Sequence, residues 1–155
     1  MIQRIQTLYF TIALLLVGIP LINLKFFLSE SDFGKIAVTS FYDILLKDEP
    51  KNLNSNIIWV LQVLICCVLL LTIFSFKNRK RQIQLGWLTF AIHLLGSAWI
   101  VVDTLQLKNL EGNASAAITM EMGFFCFVSA FLFIFLGIKG IRKDKALIDS
   151  LNRLR

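Results

Sequence analysis

Four long apolar stretches alternate with three polar connections along this chain of 155 residues. Residues 5–24 and 57–76 hold no charged side chain. Residues 83–102 hold none but include His93, and residues 116–138 hold one, Glu121, near their start. A helix rises about 1.5 Å per residue and the hydrocarbon core is about 30 Å thick, so roughly 20 apolar residues cross it. Each stretch reaches that length. The pattern predicts an all-α integral membrane protein, a bundle of four transmembrane helices. Composition agrees: 57% of residues are hydrophobic and 17% charged, with a mean hydropathy of +0.73, where a soluble domain carries about 25% charge.

The first stretch follows Arg4, as a signal peptide would, but "LVGIPLINLKF" offers no small-x-small cleavage site and the apolar run is long for that role. It reads as a retained span. Gly18 and Pro20 predict a kink near its outer end, because proline cannot donate to the helical ladder. Cys66, Cys67 and Cys126 all fall inside predicted spans and read as small apolar filler.

Charge sets the orientation. With both termini cytoplasmic, that side receives Arg4, Lys77, Arg79, Lys80, Arg81, Lys139, Arg142, Lys143, Lys145, Arg153 and Arg155, against only Asp144 and Asp149. The outer segments then hold five basic and eight acidic residues. Positive residues gather on the cytoplasmic side of membrane proteins, so an N-in, C-in topology is expected. Trp59 and Trp99 then lie at the outer headgroup level and Trp87 near the inner one, where an indole keeps its N–H wet.

The outer connection, residues 25–56, is longer than two spans need. Within it "TSFYDILLKDEP" reads as a short helix: Thr39 or Ser40 supplies a cap, Phe41, Ile44 and Leu45 recur at i, i+3, i+4, and Pro50 follows. Such a helix lies on the bilayer or caps the bundle, or else offers an extracytoplasmic docking site. Asn113-Ala114-Ser115 matches a glycosylation acceptor, a pattern of low specificity.

Ionisable groups at membrane depth are costly and tend to be functional. Candidates here are few: His93 in "FAIHLLGSAW", Gln62 in the second span, and Ser97 one turn from His93. Two readings are open. His93 is interhelical polar glue, bonded to Gln62 or Ser97, or it belongs to a proton relay or ligand path. Glu121 reads as an outer headgroup residue. Thr72, Thr89, Ser97 and Ser129 can each bond a carbonyl of their own helix. No second histidine or carboxylate accompanies His93 at depth, so no metal or haem is implied, and no cofactor is expected. There is no HExxH, phosphate loop or nucleophile–base set. An enzyme is not expected.

The last residues, 140–155, form a basic amphipathic segment beyond the transmembrane domain, residues 1–139. Ile141, Leu147, Ile148, Leu151 and Leu154 fall mostly on one helical face, with Arg142, Lys143, Lys145 and Arg153 around them. The segment is expected on the anionic inner leaflet or on a cytoplasmic partner. Packing on "KNRKRQ" or "MIQRIQ" is disfavoured by repulsion between basic segments. The fourth span, with six phenylalanines between Phe124 and Phe135, is expected to face lipid over much of its circumference.

Three pieces, "MIQRIQTLYF", "FKNRKRQIQL" and "GIRKDKALIDSLNRLR", resemble a family of small four-span membrane proteins of Bacteroidota, a domain of unknown function numbered 4293. The resemblance covers the whole chain. Lys145 and Asn152 depart from the family's usual acidic residues at the corresponding places. It implies an inner-membrane location in a Gram-negative cell and assigns no activity, cofactor or catalytic residue. With it, the chain is expected to be a multi-pass, non-enzymatic accessory or assembly subunit. Its interaction face would be Arg4, Lys77, Arg79, Lys80, Arg81, Arg142, Lys143, Leu147, Leu151 and Arg153. Its expected partners are a protein of the inner membrane and membrane lipid, anionic inner-leaflet lipid included, and not nucleic acid. The alternative is a small transporter or channel using Gln62 and His93.

Overall fold

The computed structural model describes residues 3–22, 24–31, 34–39, 42–45, 53–55, 58–110 and 117–153. Four α-helices dominate it: α1 (Gln3–Gly18), α2 (Ile58–Phe74), α3 (Arg79–Leu110) and α4 (Met122–Arg153). Three stretches are long and apolar enough to cross a membrane, Ile58–Lys77, Arg79–Val102 and Met122–Ser150, and Ile5–Leu21 is a shorter apolar helix. The first helix stops early because Pro20 sits in a 3₁₀ turn, Ile19–Leu21, rather than kinking a continuing helix.

The helices close a ring in which α1 touches α4 and α2, and α3 touches α2 and α4, the α1–α4 pair making the most extensive contact. In α4, Phe127, Ala130, Ile134, Ile138 and Ile141 are all buried. Their three- and four-residue spacing is one continuous helical stripe. That stripe runs through residue 139 without a break, so the boundary expected there is not marked in the backbone. The Phe-rich segment is also less lipid-facing than expected. Phe127 is buried, Phe124, Phe131 and Phe133 are half-buried, and Phe125 and Phe135 are exposed, because α4 borders two helices at once.

Helices in lipid gain little from apolar burial and associate through close packing. Glycines provide it here. An ideal Cβ at Gly137 falls 2.7 Å from Phe10 Cζ, and one at Gly86 falls 2.8 Å from Ile138 Cγ1. Phe10 therefore fills a hollow that α3 and α4 leave by carrying no side chain at these points.

The all-α expectation is corrected by a five-stranded antiparallel sheet of order β4-β3-β2-β1-β5. Its strands are β1 (Phe27–Ser31), β2 (Gly34–Val38), β3 (Tyr42–Leu45), β4 (Leu53–Ser55) and β5 (Ala117–Met120). The helix expected in "TSFYDILLKDEP" is a strand in its described part, Tyr42–Leu45, paired with β2 through Ile36↔Leu45 and Val38↔Asp43. The other ends of that expectation, Ser40, Phe41 and Pro50, lie outside the described residues, as does Asn113-Ala114-Ser115. The helix α4 begins at Met122, since the preceding Ala117–Met120 pairs with β1 (Phe27↔Met120, Glu30↔Ala117).

The sheet is tied to the bundle where α4 begins. Glu121 N donates to Phe26 O at 2.9 Å and Gly123 N to Lys25 O at 3.0 Å, satisfying amides that a helix start leaves unpaired. The approach is tight: a Cβ on Gly123 would stand 2.6 Å from Lys25 O. Phe26 packs edge-on to Phe127, and Phe27 lies 4.9 Å from Phe124 between ring centroids.

Candidate functional site

Two regions carry polar chemistry. The first is at mid-bundle. His93 and Gln62 are both fully buried. The imidazole sits between the rings of Phe127 and Phe131, with centroids 4.1 and 4.3 Å away. Its Nε2–H donates to the Phe127 carbonyl oxygen at 2.9 Å, joining α3 to α4. The expected bond to Gln62 is not formed: both carboxamide atoms of Gln62 and His93 Nδ1 lack partners. Ser97 Oγ donates to the carbonyl of His93 at 2.9 Å, and Thr72, Thr89 and Ser129 likewise bond carbonyls of their own helices. These hydroxyls satisfy themselves and leave His93 and Gln62 as the polar groups unspent within the core. No group of three or more His, Cys, Asp or Glu side chains able to hold a metal occurs among the described residues.

The second region is the end of the bundle opposite the sheet. Here α1 begins, the 3₁₀ turn Ser75–Lys77 joins α2 to α3, and α4 finishes. The repulsion expected between the first and last basic segments is overcome by which side chains meet. Gln6 Nε2 donates to the buried Asp144 Oδ2. Ile141 is buried, and a Cβ on Gly140 would stand 3.0 Å from Gln6 Cγ. The first turn of the segment thus packs on α1 through a neutral amide and an acid. Its cations turn elsewhere: Arg142 lies 5.2 Å over the Trp87 ring of α3, a cation–π contact, and Lys139 and Lys143 are exposed.

Past Asp144 the apolar stripe loses its cover, with Leu147 48% and Ile148 37% exposed. Lys77, Lys80 and Arg81 are exposed as well, and Arg79 is half-buried. The side chains of Arg4, Leu151 and Arg153 lie outside the described residues.

Between α1 and the start of α3 runs a groove of about 530 Å³, lined by the polar Gln6, Thr7, Arg79 and Gln82, by the apolar Leu8, Ile12 and Phe76, and by Thr11, whose hydroxyl donates to the Thr7 carbonyl at 2.8 Å. Gln6, Gln82 and Asp144 went unread as functional candidates in the sequence. The available signal was weak: Gln6 and Gln82 stand about one turn inside their helices, just after Arg4 and after Arg79-Lys80-Arg81, where a solvated glutamine is ordinary.

No curated protein matches the chain. Residues 2–154 match the model of a family described as a domain of unknown function, DUF4293. The match takes in both polar regions and the sheet, and the chain belongs to that family.

Proposed function

We propose that the chain is a non-enzymatic accessory or assembly subunit of a bacterial inner membrane, four-span with both termini cytoplasmic, that binds a larger membrane complex through its basic end. One observation carries this reading. Leu147 and Ile148 stand uncovered on α4, one turn past the exposed Lys143, and Lys77, Lys80 and Arg81 are exposed at the same end of the bundle. An apolar strip rimmed by charge is the usual anatomy of an interface. The Bacteroidota likeness of the three end segments supports the same placement.

The test is mild-detergent affinity purification from native membranes with mass spectrometry. Cutting the chain after Lys139 would also remove Ile141 and Asp144, which hold α1, so the informative variant is Leu147→Glu with Ile148→Glu. A partner recovered in near-equal amount with the natural chain and lost with this pair supports the reading. Both proteins emerging alone overturns it.

A second reading, a small transporter or channel, draws on the unpartnered Gln62 amide and His93 Nδ1. Their full burial weighs against a hydrated path. His93→Leu separates the two: it abolishes a transport activity and leaves partner recovery unchanged.

A further inference from the structure

The groove between α1 and α3 is amphiphilic along its length. Gln6, Thr7, Arg79 and Gln82 line it near the helix starts, with Phe76 of the turn at the same end, while Leu8 and Ile12 continue it along α1 with Thr11 between them, its hydroxyl bonded to the Thr7 carbonyl. From Gln6 to Ile12 the helix rises about 9 Å. One leaflet's headgroup layer, the difference between the hydrocarbon core and the whole bilayer, is about 5–8 Å deep. The polarity of the groove therefore changes over the distance on which a lipid changes from headgroup to chain.

Two side chains in the groove look for a ligand of that kind. Gln82 is only 4% exposed overall and lines the groove, so its carboxamide is within reach of a ligand seated there. Arg79 is half-buried at the same end, with Lys77, Lys80 and Arg81 close in sequence and no acidic side chain in the lining. Asp144, the nearest acid to engage a groove residue, is already bonded to Gln6. A guanidinium presents a planar fork of donors that fits phosphate oxygens.

We propose that this groove binds one membrane glycerophospholipid. The phosphodiester lies on Arg79, an ester or phosphate oxygen accepts from Gln82 Nε2, and an acyl chain runs along Leu8, Ile12 and Phe76 into the bilayer. The volume is within the range of small-molecule sites, about 300–1,000 Å³, and takes the headgroup end of the lipid only. The inference rests on the groove and stands apart from the capture of any protein partner.

Native mass spectrometry of the full chain in detergent tests it, with phosphatidylglycerol, a diacylglycerol of the same chains, and inorganic phosphate as probes. The expected result is a single saturable phosphatidylglycerol adduct, at least tenfold weaker with diacylglycerol and absent with inorganic phosphate. Arg79→Gln and Ile12→Trp should each weaken it at least fivefold. Lys143→Gln, the same charge change at an exposed position of α4, should not. Gln82→Leu should weaken the adduct as well, while leaving the Gln6–Asp144 contact and the fold in place. Equal binding of diacylglycerol, competition by inorganic phosphate, non-saturating adducts, or an equal loss with Lys143→Gln overturns the proposal. Should Arg79→Gln fail to fold, Gln82→Leu and Ile12→Trp decide it.

Discussion

The Phe10 ring is the point at which close packing in this bundle can be measured. It is fully buried, and a Cβ on Gly137 would approach its Cζ, Cε1 and Cε2 to 2.7, 2.9 and 2.9 Å. In a water-soluble core, Phe→Ala costs about 3–5 kcal/mol through lost transfer and a residual cavity. A bilayer removes most of the transfer part, because separated helices remain in lipid as apolar as the core. The cavity part survives: a ring on the order of 100 Å³, at about 24 cal/mol per Å³, gives about 2.4 kcal/mol. Gly137→Ala should cost about 1–3 kcal/mol by overpacking. In the Phe10→Ala background the added methyl enters vacated space, so the same change should cost nothing there. The pair therefore couples by the full cost of Gly137→Ala. SDS-driven unfolding in mixed micelles, followed by tryptophan fluorescence, reads all three variants. Additivity of the two single effects within about 0.5 kcal/mol would falsify the claim that ring and glycine share one hollow.

Other contacts give sharper contrasts between pairs of variants in the same unfolding assay. Gly123→Ala should destabilise by more than 1 kcal/mol, since the obstructing atom is the backbone oxygen of Lys25 at 2.6 Å; Gly18→Ala, with nothing within 4 Å and a helical φ of −75°, should be neutral or stabilise by up to about 1 kcal/mol. Gln6→Leu leaves the buried Asp144 carboxylate without its donor and should cost about 1–3 kcal/mol or more; adding Asp144→Leu should restore most of that loss, and a neutral Gln6→Leu would show that the contact carries no weight. His93→Leu should shift stability by less than about 1 kcal/mol, because interhelical hydrogen bonds in membranes average about 0.6 kcal/mol; a loss above 2 kcal/mol would make the Phe127 bond a principal tie between α3 and α4.

How much of this was legible in the chain depended on the range over which each signal acts. The helical spans follow from uncharged runs, a local property, and three of them are long enough to cross a membrane, with a shorter fourth. The self-satisfied hydroxyls of Thr72, Thr89 and Ser97 follow from helix geometry alone. The sheet did not follow. Tyr42–Leu45 is four residues long, too short for a period of 2 to be told from one of 3.6. Its stability also draws on a partner far away, since β5 reaches β1 from about ninety residues downstream. Gln62 and His93 were visible as polar groups at depth, but that His93 would bond Phe127 O and Gln62 nothing was not, because a helix's rotation about its axis decides it.

The start of α1, the start of α3 and the end of α4 converge in space, and the way they meet divides the expected interaction face. Gln6 and Phe10 come from the first, Arg79 and Gln82 from the second, and Gly140, Ile141, Arg142 and Asp144 from the third. Gln6 bonds Asp144, Phe10 enters the hollow beside Gly86 and Gly137, and Arg142 stacks on Trp87. Together these contacts tie α1, α3 and α4 to one another. A junction of this kind needs no outside partner to account for its residues. Arg142 in particular is engaged within the chain, so losing it would disturb the α3–α4 contact before it disturbed any docking. Lys143, Leu147 and Ile148 have no such engagement. They continue the same helix past the junction, where α1 no longer covers the stripe. A partner-binding defect confined to those positions, with the fold unchanged, separates recognition from assembly; one that appears only with Arg142 does not.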